Sequence, residues 1–283
     1  MFLREKIQGD SKYLKDRSTL KGHARNVILP NDETELREGI RYASKGNTKV
    51  TISGTRAGCS GGAVPTGGDV MSMENLSGIV GLGKDDKGIF LRVLPCTTVS
   101  QFDNALKVGG IQSIDEGEPI DAEGLMFPVS AELGFTVGGC ISANRSGIRR
   151  FVRRIKVVFS DSTYMTMERG EFVADGRRMT FPAGRNYFSF ELPGYDSTDD
   201  YGPKISENMD LVDLFVGSEG IFGIITEADI YLSTEKSSAE SREFGKLYNG
   251  YVKERYGPKA VDDLIKVKRI LDVNYILNIG NLL

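Results

Sequence analysis

The stretch 51-TISGTRAGCSGGAVPTGGDV-70 carries six glycines in twenty positions, with Thr and Ser between them. Only glycine takes φ > 0 freely and lets backbone approach a ligand closely, so this density predicts a chain bent around a bound group. The surplus is local, because ten of the 34 glycines fall between Gly54 and Gly88. Two familiar phosphate loops fail here. A Walker loop needs G-x-x-x-x-G-K-[ST], and no Gly-Lys pair follows Gly54 and Gly58 at that spacing. A Rossmann turn runs straight into a helix, which Pro65, Gly67 and Gly68 prevent. The physics behind both survives: successive amides of a glycine-rich turn form a concave nest that suits a pyrophosphate. Ser53, Thr55 and Ser60 add hydroxyl donors. From this loop alone, a tight glycine turn with no ligand stays open.

The flanking elements give the loop its setting. Val27 to Leu29 reads as a short strand ending at Pro30. Asn31 or Asp32 then caps a helix through about Ser44, with Leu36, Ile40 and Ala43 at helical spacing. Val50 to Ile52 is the next strand, and the glycine loop opens directly after it, a βαβ-like start. Further on, Ile89 to Leu94 reads as a strand and Val99 to Val108 as a helix. Val152 to Phe159 and Tyr164 to Glu168 flank SDS as an antiparallel hairpin. The acidic, turn-rich residues 193–210 read as a mobile surface excursion. Two helical segments follow, about Ser241 to Tyr256 and Pro258 to Leu271, the second with proline in its first turn.

Composition removes several function classes. A net charge of −3 gives no global attraction to nucleic acid or anionic membrane, and no run of about 18 apolar residues spans a bilayer. MFLREKIQGDSKYLKD lacks the apolar core of a signal peptide and reads as a short amphipathic helix. Cys59, Cys96 and Cys140 are odd in number and widely spaced, which predicts neither a disulfide framework nor a zinc site and points to a reducing cytoplasm. His23 is the only histidine, so a Ser-His-Asp triad or a multi-histidine metal site has little to be built from. It lies in polar KGHARN and reads as a surface residue. Redox or group-transfer chemistry in this chain therefore needs a cofactor.

Two further loops narrow the choice. TVGGCISANRSG, residues 136–147, is again small and glycine-rich, and LFVGSEGIFGIITEADIYL, residues 214–232, sets Gly217, Gly220 and Gly223 around Ser218 and Glu219. Three such loops between strands predict one extended ligand touched at several points. On these motifs the chain resembles the PCMH-type FAD-binding domain of the vanillyl-alcohol-oxidase and p-cresol-methylhydroxylase superfamily. Within it the glycolate oxidase and D-lactate dehydrogenase branch is nearest. The resemblance runs from about Val27 to Leu232. It implies an α+β fold with two lobes: residues 25–100 with a small, mostly parallel sheet, and residues 101–232 with a mainly antiparallel one. FAD would lie between them, after an N-terminal extension (1–24) and before a helical tail (233–283).

Carried over residue by residue, the resemblance implies that Gly54, Arg56, Gly58, Cys59, Ser60, Gly61 and Gly62 wrap the FAD pyrophosphate. Pro128, Gly138, Gly139, Ser142 and Asn144 would line the ribityl path, and Glu219, Gly223, Ile224 and Ile225 would lie near the flavin or adenine. Ala57 stands where members with covalent flavin carry histidine, which implies non-covalent FAD. The family oxidises 2-hydroxy acids by hydride transfer to flavin, often beside an iron–sulfur protein or electron-transfer flavoprotein, and the same is expected here. A non-catalytic flavin-binding subunit is the alternative. No general base is identifiable.

The departures are specific. The family inserts a cap domain after the last strand of the FAD domain, whereas residues 231–245 run almost directly into the tail. The tail LIKVKRILDVNYILNIGNLL (264–283) echoes a family ending K-x-x-x-D-P-x-x-x-L-N-P-G-K. Lys268, Asp272, Leu277, Asn278 and Gly280 match, while Val273, Ile279 and Asn281 do not, which implies a cap that was lost. Cys96 replaces a usual glycine, and the chain between Gly147 and Phe151 is short. Arg149, Arg150, Arg153 and Arg154 form the obvious cationic cluster for a substrate carboxylate, weighed against a strand-flanking structural role.

Overall fold

The structure, a computed structural model, describes residues 2–115, 119–130, 134–184, 186–194, 202–237 and 253–281. Two sheets organise it. The first contains β1 (Leu3–Lys6), β2 (Asn26–Leu29), β3 (Val50–Ser53) and β4 (Asp69–Ser72), in the order β1-β2-β4-β3. β2, β4 and β3 are parallel and β1 adds antiparallel to the edge. The N-terminal stretch expected as an amphipathic helix is thus strand β1 followed by a 3-10 turn at Lys12–Leu14. Edge pairing with β2 satisfies its backbone, and its four residues are all exposed, so no apolar face drives a helix there.

Between β2 and β3 runs α1 (Glu33–Lys45), capped by Asp32, whose carboxylate accepts from Glu35 N at 2.8 Å. Leu36, Ile40 and Ala43 are its buried stripe. β2 and β3 do not pair, since β4 slots between them. The glycine stretch is therefore the crossover joining the parallel neighbours β3 and β4, and it leaves the carboxyl end of β3. Ligands collect at such ends in open parallel sheets.

The second sheet is antiparallel, ordered β5-β6-β11-β7-β8, from β5 (Ile79–Asp85), β6 (Gly88–Val93), β7 (Val152–Val158), β8 (Tyr164–Glu168) and β11 (Ile224–Tyr231). Because β5 and β6 join this sheet, the change of lobe falls between Ser72 and Ile79 and not near residue 100. A hairpin of β9 (Arg178–Ala183) and β10 (Asn186–Glu191) stands beside it. Helices α2 (Val99–Val108), α3 (Val137–Ser142) and α4 (Leu211–Phe215) contribute to one large core with the sheet, including Phe102, Phe127, Phe159, Phe181, Phe215 and Phe222. α2 carries a full capping box between Thr98 and Gln101.

A smaller core joins the two sheets, α1 and the tail: Ile28, Val50 and Met71 from the first sheet, Leu36 from α1, Val158 and Ile224 from the second sheet, Ile276 and Leu277 from the tail. The last helix, α5, spans Lys253–Leu271, so Pro258 lies inside it and not in its first turn. The helix expected over 241–256 falls mostly outside the described residues. Of the 193–210 excursion, the described part from Gly202 is packed, with Ile205 and Met209 buried in the main core. Its polar composition concealed two apolar anchors.

Candidate functional site

The glycine loop curls because four of its residues take positive φ, Arg56 (61°), Gly61 (75°), Gly67 (124°) and Gly68 (69°). Three ties then hold it. Thr55 Oγ1 donates to Gly134 O at 2.7 Å, Arg17 N donates to Gly58 O at 2.9 Å, and Gly61 N donates to Asp16 Oδ2 at 2.9 Å. Arg56 donates to Gly54 O at 2.8 Å, lies over the Tyr13 ring and faces Glu74 at 3.6 Å. The N-terminal segment is therefore a buckle on this loop.

The second loop builds α3, where Thr136 Oγ1 accepts from Gly139 N and Gly138 N donates to Pro95 O. A Cβ on Gly138 would collide with Pro95 at 2.9 Å. The third loop docks on the end of α3: Gly217 N donates to Ile141 O and Glu219 N to Ser142 O, both at 2.9 Å, satisfying carbonyls a helix end leaves open. Glu219 is itself left-handed, at φ 51°.

The tail closes the arrangement. Asn278 Oδ1 accepts from Ile52 N and its Nδ2 donates to Glu219 O, each at 2.6 Å. One side chain thus bridges β3, which feeds the first loop, to the third loop. Lys268 is fully buried and donates to Asp272 Oδ2 (2.6 Å), Ile221 O (2.6 Å) and Leu277 O (2.7 Å). Burial pushes its amine below the ordinary lysine range, against the pull of Asp272. Asp272 also accepts from Ile276 N and Leu277 N.

Together these segments line one cleft that is partly open to solvent. Of the residues expected at the site, Gly54, Thr55, Arg56, Gly58, Ser60 and Gly62 line it from the first loop. Gly138, Gly139 and Ser142 line it from the second, and Glu219, Gly223, Ile224 and Ile225 from the third. Ser53, Cys59, Gly61, Pro128 and Asn144 lie outside the lining. Ser53 is buried beneath the loop; Gly61 shapes the turn; Pro128 O accepts from Ser237 N; Asn144 Oδ1 accepts from Arg149 N. Residues not singled out for the site also face the cleft: Asp16, Met73, Phe135, Thr136 and Asn278 among them. Asn278 was visible as part of the tail echo, but nothing in its spacing said which strand it would meet.

The arginine cluster is structural. Arg149 donates to Gly202 O, Asp213 O and Val216 O. Arg153 pairs with Asp85, Glu168 and Asp229, and Arg154 with Glu227 and Asp229. Arg150 donates to Ser237 Oγ. Burial pushes the Cys96 thiol up to about 11 and Cys140 up to about 12. Burial also raises the Glu74 carboxyl, but hydrogen bonds from Tyr13 and Lys12 and the Arg56 charge outweigh it and hold the group below its ordinary value. Among the described residues no helix is long and apolar enough to cross a membrane.

A glycine-lined cleft at the carboxyl end of a parallel strand, walled by a second antiparallel sheet, defines a domain built for a nucleotide cofactor. The chain belongs to the family described as FAD binding domain, whose model matches residues 24–174, just over half of it, and its cofactor is FAD. It is 25% identical to a D-lactate dehydrogenase of Anaerostipes hadrus over 216 residues, covering 75% of this chain and 37% of that protein. It is 29% identical to a D-lactate dehydrogenase of Archaeoglobus fulgidus (73% and 38% covered). To the glycolate oxidase subunit GlcD of Bacillus subtilis strain 168 the identity is 23% (73% and 36% covered). The chain thus spans little more than a third of these relatives. In fold it is similar to a solved structure of alkyldihydroxyacetonephosphate synthase, with a TM-score of 0.51 at 14% identity, covering 80% of this chain and 37% of that one.

The residues present fit the cofactor. A Cβ on Gly58 would meet nothing within 4 Å although Gly58 lines the cleft, so the loop faces open room. The walls combine glycine and hydroxyl groups with apolar Met73, Phe135, Ile224 and Ile225. A dinucleotide with a flat apolar ring needs both.

Proposed function

We propose that this chain is the FAD-binding part of an oxidoreductase of the 2-hydroxy-acid dehydrogenase type, with the flavin held non-covalently. The observation that carries the reading is the convergence of all three glycine loops on one cleft. Bound FAD supplies the two-electron acceptor for oxidising a small hydroxy acid such as D-lactate or glycolate. The chain's own residues do the rest. Gly54 to Gly62 would cradle the pyrophosphate, with Arg56 as the nearby positive charge and Gly58 leaving the room. Glu219, in the cleft wall beside Gly62, would accept hydrogen bonds from hydroxyl or N–H groups of the cofactor. Ile224, Ile225, Met73 and Phe135 would exclude water from the ring. Ala57 offers no nucleophile for a covalent link.

In this reading the domain spans about residues 25–232, and 233–283 is the tail that follows a lost cap. Only 21 residues separate Tyr231 from Lys253, and beyond α5 the tail brings Asn278 to the cleft. A partner would then complete the site and pass electrons on, an iron–sulfur protein or an electron-transfer flavoprotein. With three free thiols and a net charge of −3, we place the protein in the cytoplasm. A second reading, a flavin-binding subunit without catalysis, is supported by the same short connection. One experiment separates the two: anaerobic addition of D-lactate or glycolate to the flavin-loaded protein, read at 300–550 nm. Bleaching of the flavin band supports the dehydrogenase, and a flavin spectrum that does not respond even with neighbouring gene products supports the second reading. No flavin retained after reconstitution overturns both.

A further inference from the structure

We propose that Arg145 is an oxyanion-binding residue beside the cofactor cleft, stacked on its wall residue Phe135 and fitted to a carboxylate or phosphate group. This rests on the FAD reading for its ligand, but not for its geometry. The guanidinium lies over the Phe135 ring, its central carbon 4.0 Å from the ring centroid. Phe135 lines the cleft, as do Ser142 and Ala143 just upstream of Arg145.

The loop around Arg145 is fixed on both sides. Asn144 N donates to Ile141 O and Asn144 Oδ1 accepts from Arg149 N; Ser146 Oγ donates to Ser130 O. Asn144, Ser146 and Gly147 all take left-handed backbone (φ 45°, 50° and 71°), so the chain bends sharply and Arg145 is aimed by its neighbours. Its own side chain is not tied down in the same way: Nε is buried and finds no acceptor. Buried donors are nearly always met, and one that is not calls for an explanation. Arg145 differs here from Arg149, Arg153 and Arg154, whose N–H groups go to carboxylates and carbonyls.

A planar guanidinium with an unmet N–H beside a cleft matches a two-oxygen anion bidentately. Stacking on Phe135 adds orientation without consuming a donor. The positive charge also reaches Cys140 in α3, where it opposes the effect of burial on the thiol. Two sources offer the anion: the carboxylate of a 2-hydroxy acid or the pyrophosphate of FAD itself.

The test uses the full chain, cofactor-free and FAD-loaded, as wild type, Arg145→Gln and Arg145→Lys. Sodium oxalate and sodium pyrophosphate are titrated at constant ionic strength while the melting temperature is followed; FAD and riboflavin affinities are read by flavin fluorescence. We expect saturable stabilisation of the wild type by at least one anion, weakened tenfold or more in Arg145→Gln, with Arg145→Lys between them. Loss of the oxalate response with FAD affinity held within twofold assigns the anion to substrate. A tenfold loss for pyrophosphate and FAD, with riboflavin unchanged, assigns it to the cofactor. Unaltered oxalate, pyrophosphate and FAD binding in both variants overturns the proposal, as does a wild type with no saturable anion response. If Arg145→Gln does not fold, Arg145→Lys decides, since it keeps the charge and loses the fork. A wild type that retains no flavin defeats the FAD reading, while the anion titration of the cofactor-free chain still decides Arg145.

Discussion

Replacing Asn278 with alanine tests whether the tail holds the cofactor site together. The substitution deletes two 2.6 Å hydrogen bonds, from Ile52 N and to Glu219 O. Each is worth about 1 kcal/mol net, and each buried partner left unmet adds roughly 1 kcal/mol. Ile52 is partly exposed, so water recovers some of that, and the total comes to about 2–4 kcal/mol. At about 2 °C per kcal/mol for a chain of this size, the melting temperature should fall by roughly 4–8 °C. Asn278 also lines the cleft and bridges two of its loops, so FAD affinity should fall with stability, by about tenfold for each 1.4 kcal/mol that reaches the site. Asn278→Asp separates the halves: a carboxylate still accepts from Ile52 N but cannot donate to Glu219 O. The measurements are differential scanning calorimetry and quenching of FAD fluorescence. An alanine variant that melts within 1 °C of wild type, as an approximate margin, and binds FAD equally well would refute the bridging role.

Gly58→Val should leave the melting temperature nearly unchanged, because a Cβ there meets nothing within 4 Å, yet fill the cleft and reduce FAD retention at least tenfold, as read by flavin stoichiometry after gel filtration. Gly62→Ala puts a methyl 2.6 Å from Glu219 Oε2, so its effect on FAD affinity should be relieved when Glu219 is shortened to alanine in the double variant. In the native protein at neutral pH a thiol reagent should label Cys59 alone, since Cys96 and Cys140 are buried with thiols raised to about 11 and about 12; mass spectrometry showing modified Cys140 would contradict the packing of α3. The Glu74 carboxyl is held below its ordinary value of 4.5, so the stability it contributes is present above that pH and is lost as pH falls through the lower folded value. Glu74→Gln should flatten the acid limb of a melting-temperature profile, and an unchanged limb would exclude the Tyr13–Glu74–Arg56 cluster as its source.

How far the sequence disclosed this site depends on how local each signal is. α1 was legible because Asp32, Leu36, Ile40 and Ala43 act within a few turns of one another, and the β7–β8 hairpin because only five residues separate its strands. The cleft was legible because glycine is required at the point of close approach, whatever the rest of the chain does. What failed was non-local. Leu3–Lys6 shows no strand alternation and becomes a strand because β2 offers it an edge. β5 and β6 look like a continuation of the first lobe, yet β11, more than 130 residues later, claims them. Arg153 and Arg154 do flank a strand as paired residues, but nothing local named their partners, because Asp85, Glu227 and Asp229 lie on other strands.

The same reasoning bears on how binding and folding are coupled. Lys268 reaches Ile221 in the third loop, Asn278 reaches Glu219, and Val50 N and O both pair with the tail. Docking of α5 and its following residues therefore presents the third loop to the cleft, and a ligand that needs that loop in place favours the docked tail. By linkage, FAD at a hundredfold excess over its dissociation constant should stabilise the native chain by about 2.7 kcal/mol. A variant with Lys268 replaced by methionine leaves Asp272 buried without its cation, a loss of about 3–5 kcal/mol. Added FAD should then restore part of the lost stability, but at a higher concentration than wild type needs, because binding must also redock the tail. If Lys268→Met lowers the melting temperature and leaves the FAD concentration dependence of that temperature unshifted, the tail supports the fold without supporting the site.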